Sequence, residues 1–200
     1  MRIGLVATSR SGSTLFRSYA CNMLGLLDSG SWLKHNSYSD IESQDFAKDI
    51  HLLKVLPHYI SDSPEEVHEV TKNFTSVWLH REDIVAQFLS HVARLRTGVN
   101  HVYKVEDRPQ IENLSLEATR EEFDRFKSKL DCFWNLYNNY HKGEPLISLE
   151  YFLANPSSNL AKLSNFFNIN SNQVVDIPIP VELGVAYNDK FKNYDEIIEW

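Results

Sequence analysis

Cysteine is scarce in this chain, with Cys21 and Cys132 alone among 200 residues. Neither sits in a CxxC pair or at a metal-ligand spacing, and both fall in stretches patterned as helix, which argues against a disulfide framework and against a zinc site. Buried free thiols and a reducing compartment are the expectation. An excess of positive charge is missing too. Against 20 Lys+Arg stand 27 Asp+Glu, a net charge of −7. A protein that coats nucleic acid needs a basic face, so a nucleic-acid partner is not expected and any anion site has to be local. No apolar run approaches the ~20 residues of a membrane span. The first residues read directly as a strand, without the charged-then-apolar pattern of a leader. A cytoplasmic protein with no membrane span is expected. No internal repeat and no low-complexity stretch interrupts the chain. What it does have is core material, 42% apolar and 12% aromatic residues, enough for one domain over residues 1–200.

The chain is organised around its first thirty residues or so. Arg2-Ile-Gly-Leu-Val-Ala7 reads as a buried strand, Thr8-Ser-Arg-Ser-Gly-Ser13 as a small-residue turn, and Thr14 to Leu27 as a helix. Such an arrangement aims backbone N–H groups and the helix dipole at an anion beyond the strand's end. The spacing nearly fits a P-loop, with Gly12 and Thr14 in place. Ala7 stands where the first glycine would be, Ser13 stands where the phosphate-reaching lysine would be, and a cation comes earlier, as Arg10. An ordinary strand–turn–helix would also use Ser and Gly in its turn.

Further along, strand and helix patterns alternate. The first helix offers Leu15, Ala20 or Tyr19, Met23 and Leu26 as its packing face. Residues 28–49 are polar but carry Trp32, His35, Tyr38 and Phe46, as a functional lid or a surface segment anchored by its aromatics would. Ile50 to Leu56 is a second strand, stopped by Pro57. Lys54 within it is either at a sheet edge or near the carboxyl end, pointing into a site. Ser63-Pro-Glu-Glu opens a helix to about Asn73. Thr75 to Leu79 is a third strand and runs into His80-Arg81, where an ATP-using P-loop enzyme would place an Asp to hold Mg²⁺. The planar fork of Arg81 suits a phosphate. Helices over 82–97, with Ile84, Phe88 or Gln87, His91 and Leu95 as its stripe, and over 115–140, with Phe123, Phe126, Leu130, Phe133 and Tyr137 as core, follow. Pro145 to Leu149 is a fourth strand, and Asn155-Pro156 opens a helix to Phe167. The pattern predicts an α/β fold, a P-loop-like domain with a central parallel sheet and helices on both faces.

Taken together, the segments Thr8 to Leu15, His80-Arg-Glu-Asp-Ile-Val-Ala-Gln-Phe-Leu-Ser90 and Ser148-Leu-Glu-Tyr-Phe-Leu-Ala-Asn-Pro156 resemble the sulfotransferases that use 3′-phosphoadenosine 5′-phosphosulfate (PAPS). They match that family's 5′-phosphosulfate loop, its 3′-phosphate element and its late strand-to-helix segment, in family order. The resemblance implies PAPS as cofactor, adenosine 3′,5′-bisphosphate as product, and no metal. Arg10, Ser11, Gly12, Ser13 and Thr14 would hold the 5′-phosphosulfate, and Arg81 with Ser90 the 3′-phosphate. The family's Arg-Lys-Gly segment is not recognisable, and Lys190 and Lys192 are the candidates to replace it. Lys54-Val-Leu-Pro-His58 resembles the cytosolic members' Lys-Thr-His-Leu-Pro, with its histidine moved past the proline. Lys54, His35 and His58 are therefore the catalytic candidates, with Glu42 behind them as base. The acceptor would be a small molecule, carbohydrate or lipid. An ATP-dependent small-molecule kinase on a degenerate P-loop and a non-catalytic nucleotide-binding domain are the competing readings.

Overall fold

The computed structural model describes residues 1–29, 50–98, 115–169 and 187–200. Five parallel strands form one sheet in the order β2-β3-β1-β4-β5, with β1 at Arg2–Ala7, β2 at Leu27–Asp28, β3 at His51–Val55, β4 at Thr75–His80 and β5 at Leu146–Ser148. Strand β1 lies between β3 and β4, with Leu5 opposite both Lys54 and Val77. A strand covered on both faces reads as an unbroken apolar run, and Ile3, Leu5, Val6 and Ala7 are all fully buried.

Alternation along the strands divides the core. Ile3, Leu5 and Ala7 point to the face covered by α1 (Ser13–Leu24) and α6 (Pro156–Phe167), where Phe16, Ala20, Leu160 and Leu163 meet them. Val6, Val55 and Trp78 point the other way, to Val67 of α2 (Pro64–Thr71) and to Phe133 and Leu136 of α4 (Arg120–Tyr140). A third cluster joins α3 (Ile84–Thr97) and α4 to the C-terminal segment through Phe88, Phe123, Phe126, Phe191 and Ile197. That segment is tied down by backbone bonds from Leu116 N–H to the Lys190 carbonyl (2.7 Å) and from Lys192 N–H to the Leu116 carbonyl (2.9 Å).

The element ends follow local chemistry. Gly25, in the left-handed conformation, stops α1 at Leu24, so Leu27 belongs to the short strand β2 rather than to the helix. A reciprocal capping box between Thr119 and Glu122 starts α4 at Arg120, five residues later than the expected start at Ser115. The Ser148 hydroxyl accepts from Tyr151 N–H, which ends β5 and opens α5 (Leu149–Ala154). Two expected helix faces are rotated. On α1 the buried positions are Phe16, Ala20, Cys21 and Leu24 rather than Leu15 and Met23. On α3 they include Phe88, Leu89 and Val92, while Ile84 and Leu95 are exposed. No helix among the described residues is long and apolar enough to cross a membrane.

Candidate functional site

In a parallel sheet whose neighbouring strands are reached from both sides of a central one, the crevice beyond the carboxyl ends is where ligands bind. Here the loops after β1, β3 and β4 meet there. After Ala7 the chain turns sharply. The Ser11 hydroxyl donates to the Thr8 carbonyl at 2.9 Å, Arg10 takes φ 64° and Gly12 φ 79°. A Cβ on Gly12 would stand 2.5 Å from Leu149 Cδ1, so conformation and close approach both demand glycine. Helix α1 starts directly after, with no side-chain cap bond at its N-terminus. Left-handed residues at positions 10 and 12, just before a helix start without a side-chain cap, suit a concave array of N–H donors for an anion.

The loop is gripped from two sides. The Gln87 side-chain amide of α3 donates to Thr8 Oγ1 and to the Ser9 carbonyl, both at 2.7 Å. Arg10 Nε donates to Ser90 Oγ at 2.9 Å. From the β3 side, His58 Nε2 lies 3.0 Å from Ser9 Oγ. Gln87, Ser90, His91 and Arg94 recur at the three- and four-residue spacing of one helix face, and this polar face of α3 turns toward the loop. The apolar stripe expected there hid that face. Gln87, His91, Arg94 and Glu150 line the candidate site, although the sequence marked the first two only as helix-stripe positions, and the polar repeat along 87–94 is the signal for them.

The site is locally cationic although the chain is acidic. Burial depresses the Arg10 pKa, offset by nearby Tyr187 and reinforced by Arg94 and Arg81. The guanidinium stays charged at any physiological pH. His58 is held down to about 4, first by burial and then by Lys129, His91 and Lys54. His91 is held at about 4 in the same way, by burial and then Lys129, Arg94 and Arg10. Both imidazoles are neutral at pH 7. Arg81 Nε sits 3.6 Å from Glu150 Oε1 of α5, yet it is buried without a hydrogen-bond partner among the described residues, as is His91 Nδ1. Glu150 also accepts from Glu82 N–H at 3.0 Å, fixing the turn that follows Arg81.

The sequence candidates therefore fall as follows. Arg10, Ser11, Gly12, Ser13 and Thr14 form the loop and helix start, and Ser90 meets Arg10 rather than Arg81. Arg81 lies within electrostatic reach of Arg10. His58 flanks the loop on the β3 side, and Lys54, opposite Leu5 in the sheet, acts on His58. His35 and Glu42 lie outside the described residues. Lys192 is exposed, and the C-terminal segment acts on the site through Tyr187 near Arg10. Cys21 is buried on α1, with its thiol pushed up to about 12 by burial, and Cys132 is half-buried on α4.

No family model matches the sequence, and no curated protein matches it either. Solved structures do match in fold. A sulfotransferase from Alicyclobacillus acidocaldarius superposes with a TM-score of 0.56 at 8% identity, over 90% of this chain and 85% of that one. The sulfotransferase domain from the curacin biosynthetic pathway superposes with a TM-score of 0.54 at 13% identity, over 85% of this chain and 74% of that one. At such identities the likeness is one of fold: this chain has the α/β, P-loop-like architecture that those sulfotransferases share.

Proposed function

We propose that the protein transfers a sulfuryl group from PAPS to a hydroxyl or amine of an acceptor. The observation that carries this reading is the clasp between Arg10 and Ser90, set between an uncapped, glycine-kinked helix start and the buried, unbonded Arg81 Nε. PAPS has anionic groups at both ends of its ribose and needs separated cationic sites. The residues present fit it. The N–H array of the loop, with Arg10, Ser11, Gly12, Ser13 and Thr14, would hold the 5′ group, and Arg81 with Ser90 the 3′-phosphate. The Ser90 hydroxyl accepts from Arg10 and still has its own proton to donate, so it links the two sites.

When bound, the cofactor supplies a sulfuryl group carried on a phosphate leaving group. The chain's part is to hold that end against the loop, to neutralise charge as it grows on the departing oxygen, and to take the acceptor's proton. Lys54 is the candidate for the second task, because preorganised positive charge acts where negative charge develops. His58 is the described candidate for the third: a neutral imidazole is the form that accepts a proton, and its bond to Ser9 places it beside the loop. His35 and Glu42 compete for that role. The test is acceptor-dependent release of adenosine 3′,5′-bisphosphate from PAPS with a panel of hydroxylated and amino acceptors. His58→Ala, His35→Ala and Glu42→Gln are assayed in parallel for turnover and for bisphosphate affinity. The true base loses turnover and the acid limb of its pH–rate profile while keeping its affinity. PAPS-independent phosphoryl transfer from ATP with Mg²⁺ would overturn the reading.

A further inference from the structure

The carboxyl end of the sheet carries more positive charge than the two anion sites just described require. The charged neighbours that bear on Arg10 are Tyr187, Arg94 and Arg81. Those that bear on His58 are Lys129, His91, Lys54 and Asp62, and His91 has Lys129, Arg94, Arg10 and Glu122 around it. Lys129 thus bears on both imidazoles.

Packing agrees. The ring of Phe126, on α4, lies 5.3 Å from that of His91, and α4 also packs on the turn Pro57–Tyr59 that carries His58. Lys129, three residues beyond Phe126, shares that face of the helix. It is half-buried and, among the described residues, makes no hydrogen bond and no ion pair. Of the acids that bear on these histidines, Glu122 is paired with Arg96, and Asp62 is exposed, its carbonyl beside Cys132 one turn along α4 from Lys129, with no ion pair to the lysine. An ammonium with no ion pair among the described residues is a donor that a bound anion can engage. On the neighbouring face of α3, the buried Nδ1 of His91 has no hydrogen-bond partner among the described residues.

We propose that Lys129 and the free Nδ1 of His91 seat an oxyanion of the acceptor, so that the acceptor is a hydroxy or amino compound which itself bears a carboxylate or similar anionic group. The proposal rests on the sulfuryl-transfer reading and narrows its substrate class. The arrangement separates the two anion-binding functions: the arginines and the loop serve the donor, and the lysine and the histidine serve the acceptor next to the candidate base.

The experiment is a titration of the protein saturated with adenosine 3′,5′-bisphosphate, by calorimetry and by the imidazole resonances of His58 and His91. The probes are 4-hydroxyphenylacetate and its neutral analogue 2-(4-hydroxyphenyl)ethanol. The carboxylate is expected to bind at least about tenfold more tightly, the effect of one charged hydrogen bond, and to shift both imidazole resonances. Lys129→Gln should abolish the preference and Lys129→Arg should keep it, with bisphosphate affinity serving as the control for folding. Equal affinity for the two probes, no saturable binding of either, or a preference that survives Lys129→Gln overturns the proposal. Failure of the bisphosphate itself to bind would instead overturn the donor reading, so the two failures are distinct.

Discussion

Two pairs of histidines sit at opposite ends of the same sheet and are treated differently. At the amino end, His141 is 6% exposed and both ring nitrogens are engaged. Nε2 lies 2.9 Å from Thr71 Oγ1, and Nδ1 lies 3.2 Å from Glu144 Oε2. Glu144 also accepts from the Trp78 indole N–H at 2.6 Å, and His68 stacks on Tyr140 beside them. At the carboxyl end, His58 leans on a loop serine, while His91 Nδ1 is buried without a partner among the described residues, near Lys129, Arg94 and Arg10. Buried polar groups are normally satisfied, so the first cluster reads as architecture that pins α2, α4 and β4 together. The second leaves a buried donor that the described residues do not satisfy.

That contrast can be broken by substitution. The largest effect is expected at Arg81. Arg81→Ala should weaken adenosine 3′,5′-bisphosphate by about 2–5 kcal/mol, the loss found when one partner of a desolvated charge pair is removed. It should leave adenosine 5′-phosphosulfate, which lacks the 3′-phosphate, nearly unaffected. Equal losses for both ligands would make Arg81 a structural partner of Glu150. Next comes Glu144→Ala, which strands the Trp78 and His141 donors. It should lower unfolding stability by about 1–3 kcal/mol in denaturant and leave bisphosphate affinity unchanged. A change in affinity without a loss of stability would reverse the assignment of the two ends.

The contrast also carries a pH dependence. His58 and His91 are held at about 4 in the fold, against about 6.5 in an unfolded chain. Between those values the unfolded chain binds protons that the folded one refuses. Stability is therefore fullest above about pH 6.5 and declines as the pH falls toward 4. Substituting Gln for both histidines should flatten that part of the profile. An unaltered slope would show that these imidazoles are not held neutral.

Much of the architecture was legible in the sequence because burial leaves a periodic mark. The unbroken apolar run of β1, the proline and serine that open α2 and the aromatic repeat of α4 each carry their own cause. The loop was legible for another reason: Gly12 and its hydroxyl neighbours are chemistry that a turn before a helix needs. The α3 face was not. Phe88 and Gln87 stand next to each other, and the pattern allowed either to mark the buried stripe. Only packing against Phe123 and Phe126 decides that Phe88 goes inward and Gln87 turns to the loop. Lys129 was illegible because its meaning depends on which residues α4 meets across the sheet's end, and no local pattern encodes that. The pairing of Arg10 with Ser90 joins segments 80 positions apart, and the resemblance that flagged Ser90 assigned it to Arg81 instead.

The central claim is that the carboxyl end of this sheet binds a nucleotide carrying separate 5′ and 3′ anions. The most direct measurement is calorimetric titration of the protein with adenosine 3′,5′-bisphosphate, with and without a chelator, set against ATP with Mg²⁺. Saturable bisphosphate binding that is indifferent to the chelator and lost in Arg10→Ala is the predicted result. Preferential binding of ATP that collapses on chelation, or bisphosphate affinity untouched by Arg10→Ala, would contradict it.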